Sequence, residues 1–367
     1  MLHKSDADIK STIVSKMALI SGRATPRNLQ RVAVLQRIIR NERAKTWDQI
    51  NKIWFDETKA IAKSEPITMQ KTMKTVVPTK VEVALPAVSQ LATLVTHHPF
   101  QGRVLKQWAD GIRKKDIQRI HDQITIGITQ GESNVAIARR VVGTVGLRGA
   151  NGVTQITRND ALAITRTAVL SFANRSRQLF FEANKDAFKK ERYVATLDNR
   201  TTAICRSLDG TVYNVGDGPY PPLHFQCRSI RVAILDKGFV SFRPAKPTTE
   251  RELVGKFAAR NNLGIITKRS GLPYGYKGRY DSFAKTEIRK LTGTVPAKTT
   301  YGSWLAKQSK VFQEDVLGVT KARLFRDGHL SLDKYVDRAG NELTLSQLAH
   351  KEAQAFKAAG LDPREFY

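Results

Sequence analysis

A helical pattern runs through residues 162–183, which read LAITRTAVLSFANRSRQLFFEA. Apolar or small residues recur there at alternating steps of three and four, the spacing that places side chains on one face of a helix. They are Leu162, Thr165, Val169, Phe172, Ser176, Leu179 and Ala183. From Glu191 the periodicity changes, and residues 193–197, YVATL, have the composition of a strand. This part of the chain therefore predicts a long helix followed by a sheet.

Two further strands are predicted at residues 210–213 and 229–234, with turn residues rich in Asp, Gly and Pro between them. Helical patterns also occupy residues 102–131 and 133–142, with Ser133 as an N-cap and Gly143 as a stop. We therefore predict an α+β fold. It has long N-terminal helices, a central helical bundle followed by a small antiparallel β-hairpin or sheet, and a small C-terminal helical region.

The domain organisation is predicted from the spacing of apolar residues and the positions of helix-start and turn residues. Thr25 and Pro26 offer a helix start, and the apolar residues after them predict a long amphipathic helix over 27–63. Residues 64–100 contain four prolines, which predict turns with short extended pieces. We expect an N-terminal amphipathic helical arm over 1–90, a central domain over 91–235, a basic extended linker over 236–300 and a C-terminal helical region over 301–367.

The chain is strongly basic. Its 367 residues carry 61 Lys and Arg against 33 Asp and Glu, a formal net charge of +28. The net charge is +8 over 1–90, +10 over 91–235, +9 over 236–300 and +1 over 301–367. Charge spread this widely favours sequence-independent contact with phosphates, because it attracts a polyanion without reading base edges. A plain solubility role is the alternative interpretation.

Double-stranded DNA is the polyanion that this charge favours. The basic side chains proposed to contact its backbone are Arg166, Arg175, Arg177, Lys268, Arg269, Lys277 and Arg279. Tyrosines alternate with basic residues over 274–280, where they could stack on bases or pack the linker onto its neighbour.

Several classes of protein are disfavoured. No apolar run reaches the roughly 18 residues that a membrane span needs, and the N-terminus lacks the apolar core of a signal peptide. Two cysteines cannot build a disulfide-rich scaffold. The sequence contains no Walker-type phosphate loop, dinucleotide fingerprint or His-Glu-x-x-His motif.

The residues with metal-binding chemistry are Cys205, His224 and Cys227. His224 and Cys227 have the x2 spacing that lets two side chains meet at one ion, and Asp209 or Asp198 could supply a fourth donor to a tetrahedral zinc. Packed thiols with a hydrogen-bonded histidine, or a disulfide, are the alternatives that the spacing leaves open.

The same region resembles a known family. Residues 193–205, YVATLDNRTTAIC, then Asp209-Gly210 and residues 221–229, PPLHFQCRS, are similar to the phage Mu F-like minor head protein, or head morphogenesis, family. Residues 163–168, AITRTA, resemble the Arg-Thr helix of that family, and parts of 300–360 resemble an extension found in one branch of it.

The resemblance implies a non-enzymatic structural protein of a tailed-phage virion, present in multiple copies in the head near the portal and in the host cytoplasm during assembly. Its expected partners are the portal protein, other head proteins and packaged DNA, and its possible cofactor is a structural zinc. The alternative function is a zinc-supported nuclease or toxin-like effector built on Cys205, His224 and Cys227.

Overall fold

The computed structural model describes residues 1–17, 26–76, 82–234 and 242–367. These residues form two units, one of residues 1–183 with 224–226 and the other of residues 184–223 with 227–367. Helices dominate both units, and a small antiparallel sheet lies in the second, which confirms the predicted α+β fold. No helix among the described residues is both long and apolar enough to cross a membrane.

The named elements in the described part of the first unit are all helices. Its helices are α1 Leu2–Met17, α2 Pro26–Val76, α3 Val88–His97, α4 Leu105–Thr129, α5 Asn134–Val142 and α6 Val153–Ala183. The predicted limits of α5 are confirmed: the Ser133 hydroxyl accepts a hydrogen bond from Ala136 N, and Gly143 ends the helix at φ 80°. That positive φ favours glycine, because a Cβ penalises the left-handed region.

The predicted end of α2 was wrong. The helix continues through Pro66 to Val76, and α3 also lies in the stretch predicted to be turns. Pro66 removes one backbone hydrogen bond, but its ring is buried and α2 packs against α3 and α6. Tertiary packing therefore outweighs the cost of the proline. The predicted helix start at Thr25 lies outside the described residues, and so do residues 77–81 of the stretch predicted to contain turns and short extended pieces.

A buried ionic network joins four helices of the first unit. The Arg43 guanidinium on α2 donates to Asp6 Oδ1 on α1 at 2.9 Å and to Asp116 Oδ2 on α4 at 2.5 Å. Trp47 Nε1 donates to Asp116 at 2.7 Å, and Arg158 on α6 also binds Asp6. All five side chains are buried among apolar residues. Each charge is therefore neutralised by a partner from another helix.

Alanine substitutions at two glycines inside α4 are expected to have opposite effects on stability. A Cβ on Gly111 would meet only Arg103 Nη1, at 3.8 Å, whereas a Cβ on Gly127 would lie 2.4 Å from Ile137 Cγ1. We expect Gly111→Ala to stabilise the fold by about 0.5–1 kcal/mol, because alanine loses less backbone entropy in a helix. Gly127→Ala should destabilise it, since the buried Ile137 must shift. Urea unfolding of both variants checks this, and a common sign would contradict it.

The second unit contains the sheets. Its elements are β1 Lys190–Val194, α7 Ala203–Leu208, β2 Val212–Asn214, β3 Ile230–Ile234, β4 Phe242–Ala245, α8 Glu250–Arg260, α9 Tyr276–Leu291, β5 Gly293–Pro296, α10 Tyr301–Leu305, α11 Lys310–Leu317, α12 Val319–Arg326, α13 Leu345–Lys351 and α14 Ala353–Ala358. Strand β1 lies between β2 and β3, antiparallel to both, and β4 pairs with β5. The register places Arg192 opposite both Val212 and Val232.

The extended backbone predicted over 236–300 differs from the structure, which has helices α8 and α9 there. Thr249 and Glu252 form a capping box at the start of α8. Phe257 on α8 packs edge-on against Tyr280 on α9, with ring centroids 5.6 Å apart. Of the tyrosines that suggested a linker, Tyr280 and the partly buried Tyr276 thus belong to a small core, whereas Tyr274 is exposed. Residues 236–241 lie outside the described residues, and the predicted division at residues 90, 235 and 300 stays a prediction.

Candidate functional site

Both cysteines are buried beside the three-stranded sheet. Cys205 lies on the short helix α7 and Cys227 in the loop before β3, and their exposed fractions are 1% and 4%. Tyr193 of β1 places its hydroxyl 3.3 Å from Cys205 Sγ. The two sulfur atoms are 3.8 Å apart, much longer than the roughly 2.05 Å of a disulfide bond.

His224 completes a group of three metal-binding side chains. The donor atoms of Cys205, His224 and Cys227 all lie within 4.8 Å of one another. Two thiolates bound to one tetrahedral zinc at about 2.3 Å would themselves be about 3.8 Å apart. That sulfur–sulfur distance is also an ordinary van der Waals contact, so the convergence of the histidine is what favours a metal. The structure therefore brings the three predicted metal-binding residues together.

The histidine has a defined tautomer. His224 Nδ1 lies 2.9 Å from the backbone oxygen of Phe225. A carbonyl oxygen can only accept, so Nδ1 is the donor in this contact and Nε2 is the nitrogen left for a metal. A backbone carbonyl commonly orients a metal-binding imidazole in this way.

The Cys227 thiol is held in its protonated form when no cation is bound. A hydrogen bond with Cys205 and then burial raise the pKa of Cys227 well above its ordinary value. Burial, followed by the nearby cysteines, raises the pKa of Tyr193 in the same way. A bound cation would reverse this preference at the sulfur atoms, because its positive charge stabilises thiolates.

Asp209, the predicted fourth donor, does not belong to this group. Its Oδ1 accepts from Ala195 N at 2.6 Å and from Arg243 Nη2 at 2.9 Å. Its Oδ2 accepts from Tyr301 N at 2.6 Å and from Arg243 Nη1 at 2.9 Å. The carboxylate is buried and fully used in holding these segments of the second unit together.

Asp198, the other carboxylate considered, is bound by arginine. Arg228 makes a two-pronged contact with it, with Nη2 donating to Oδ1 at 2.8 Å. Burial alone would raise the pKa of Asp198, but the hydrogen bonds and charge of Arg228 and the Arg200 N–H together lower it below its ordinary value. The carboxylate is therefore ionised at neutral pH and serves as an anchor for the residue next to Cys227.

The loop that leads to His224 is held by Arg231. Its guanidinium is sandwiched between Tyr213 and Tyr220, 4.4 Å from each ring centroid. It donates to the backbone oxygens of Asp217 and Pro219, both at 3.1 Å, and pairs with the buried Glu191 at 3.3 Å. Sequence patterning missed this support, because alternation in β3 marks Arg231 as a surface residue.

The predicted DNA-contacting residues differ in their surroundings. Four of the predicted DNA-contacting side chains are exposed and form no ion pair among the described residues: Arg166, Lys268, Lys277 and Arg279. Arg175 and Arg177 pair with Glu182 and Glu65, and Arg269 makes two 2.7 Å contacts with Asp281. The charge of these three arginines is therefore already balanced within the protein.

The comparisons with known proteins give one positive result. A family model described as Phage Mu protein F like protein matches residues 118–232. This confirms the predicted family resemblance over that stretch, which includes α5, α6, β1, α7 and β2 in full and all three residues of the Cys–His–Cys group. No curated protein matches the chain, and no solved structure matches it either.

Proposed function

Starting from the Phage Mu protein F like domain at residues 118–232, we propose that the chain is a minor structural protein of a tailed-phage head and acts in head morphogenesis. The match over the segment with the Cys–His–Cys group carries the proposal. The family is a head-related structural one, and such a role needs no turnover. The expected location is the phage head near the portal, after assembly in the host cytoplasm.

The partners that this role requires are the portal protein and neighbouring head proteins, with several copies of the chain in each particle. The decisive experiment is quantitative mass spectrometry of purified heads, combined with affinity capture of the portal protein by the full-length chain. We expect the chain in purified heads and enrichment of the portal. Infectious heads that lack the chain would overturn the proposal.

We also propose that the exposed cations on α9 and in the segment before it contact packaged DNA. Lys268, Lys277 and Arg279 lie within a region of high positive charge, and none of them pairs with a carboxylate among the residues that the structure describes. Arg279 stacks over Tyr276, 5.0 Å from its ring centroid, and this contact orients the guanidinium. Contacts of this kind bind the phosphate backbone regardless of base sequence.

Changing Lys268, Lys277 and Arg279 to glutamate should weaken binding to duplex DNA and flatten its salt dependence. Each lost phosphate contact lowers the magnitude of the slope of log K against log salt by about 0.9, so we expect a decrease of about 3. Fluorescence anisotropy on two unrelated duplexes measures it.

The matched control changes exposed lysines of the C-terminal helical region, Lys307, Lys351 and Lys357, to glutamate. It alters the net charge equally and should leave the slope within about one unit of the parent. Equal losses in both triple variants would show that only total charge matters.

We propose that Cys205, His224 and Cys227 hold a structural zinc. Soft thiolates with one imidazole form a donor set that zinc prefers, and their separations fit one tetrahedral ion. Asp209 and Asp198 are bound by arginines, so the described residues supply three ligands.

Elemental analysis of the purified full-length chain should find about one zinc per chain. The variants Cys205→Ser and His224→Ala should lose it, while His350→Ala, which changes an exposed histidine on α13, should keep it. The same preparations test the nuclease alternative on DNA and RNA. Hydrolysis that His224→Ala abolishes would favour that alternative and overturn the structural role.

A further inference from the structure

A small cavity opens in the first unit between α4 and α6, with a volume of about 240 Å³. Its lining combines an aromatic and aliphatic interior with a charged rim: Trp108, Ile112, Ile164, Phe225, Arg103 and Lys115. We propose that this cavity receives one apolar side chain from an acidic segment of a partner protein. The cavity uses Phe225, the residue that follows His224, but the inference does not depend on the proposed head role.

Contacts within the first unit hold the lining of the cavity in place. Trp108 Nε1 donates to the Phe100 backbone oxygen at 3.0 Å, and the Phe225 ring meets Trp108 edge-on with centroids 5.1 Å apart. Gln226 has a φ of 58°, and its N–H donates to the Thr167 hydroxyl at 2.9 Å. The hydrogen bond fixes the residue next to Phe225, so binding would require little reordering.

The size of the cavity matches a single side chain. Binding sites for drug-sized molecules usually occupy roughly 300–1,000 Å³, and this one is smaller. Gly111 forms part of its wall, and the contacts around Gly111 leave room for a side chain there. A glycine within a helix costs stability relative to alanine. The glycine keeps space open where the fold itself does not require it.

The rim determines the charge of the partner. The Arg103 guanidinium lies over the Trp108 ring, 5.0 Å from its centroid, and Lys115 is exposed. The one acidic residue at the cavity, Asp160, is paired with Arg119 at 2.9 Å. The rim therefore offers two cations to acidic residues that flank the inserted side chain, and charge complementarity selects such a segment.

A nucleobase fits the same cavity poorly. Its hydrogen-bonding edge would be buried against Ile112, Ala163 and Ile164, which offer it no side-chain partner, and an unpaired buried polar group is costly. An aliphatic or aromatic side chain of a protein has no such groups. The observations thus favour a peptide over single-stranded DNA.

The test uses the full-length chain and a fluorescein-labelled peptide with one leucine flanked on each side by two glutamates. Fluorescence anisotropy should show saturable binding that weakens about tenfold or more when glycine replaces the leucine, or when glutamines replace the glutamates. Gly111→Leu, which fills the cavity, and the double variant Arg103→Glu with Lys115→Glu should each weaken binding by a similar factor.

The control double variant is Lys114→Glu with Arg139→Glu, which makes the same charge change at exposed positions outside the cavity and should bind as the parent does. Thermal melting verifies that every variant is folded. Equal binding of the glycine peptide, or unchanged binding by Gly111→Leu, would overturn the proposal. Labelled oligo-dT that binds in a Gly111-dependent manner, where the peptide does not, would overturn it in favour of nucleic acid.

Discussion

Replacing Arg43 by alanine is expected to destabilise the first unit by about 3–5 kcal/mol, the usual cost of breaking a buried ion pair. The change leaves Asp116 and Asp6 buried without the guanidinium that both of them contact. Urea unfolding followed by tryptophan fluorescence measures the loss, because three of the four tryptophans (Trp47, Trp54 and Trp108) lie in this unit.

The chain provides a close control for this variant. Arg113 on α4 pairs with Asp48 on α2 at 2.6 Å, so this contact joins the same two helices as the pair of Arg43 with Asp116. The Asp48 side chain is 63% exposed, and an exposed pair contributes only about 0–1 kcal/mol. Arg113→Ala should therefore shift the midpoint little. Comparable losses in both variants would contradict the role assigned to burial.

The second large effect is expected from Asp209→Asn, which should destabilise the second unit by about 3–5 kcal/mol. Each carboxylate oxygen accepts from one backbone N–H and from Arg243. An amide must place its NH2 group against one of these donor pairs whichever way it is turned, and it leaves the buried arginine without a counter-charge. Hydrogen exchange read by mass spectrometry should show faster exchange across β1 and α10.

Asp281→Asn is the matched control in the same unit. Asp281 also receives two contacts from one arginine, Arg269, at 2.7 Å each, but both side chains are about half exposed. Water can replace the lost contacts, so exchange across β1 and α10 should remain as in the parent. If Asp209→Asn exchanged no faster than Asp281→Asn, the anchoring role of Asp209 would be wrong.

Local patterning was sufficient for the elements that depend on local signals. The ends of α5 are set by a serine cap and a glycine. The spacing over 162–183 located the C-terminal part of α6, but the helix begins at Val153, and Leu162 of the predicted stripe is exposed. Local patterning predicted the wrong end for α2, because packing against α3 and α6 stabilises that helix beyond Pro66. It also predicted an extended linker over 236–300, because the many charged residues there outweighed the apolar residues that pack α8 against α9.

The candidate site was predicted only in part for a similar reason. The spacing of His224 and Cys227 is a local signal, and Cys205 joined them as the other cysteine of the sequence. Asp209 has the right chemistry for a metal ligand, but its partner Arg243 lies 34 residues away and has no motif of its own. Arg43 and Asp116 are 73 residues apart, so their pairing could not be predicted from local sequence patterns either.

The limits of the family match have a practical consequence for dissecting this protein. Residues 118–232 begin inside α4, just after Asp116, and end inside β3. A fragment cut at those limits would divide a helix, shorten a strand and discard both Arg43 and Arg243. The matched segment is therefore not a complete structural unit, and fragments for expression should keep these helices, strands and arginines intact.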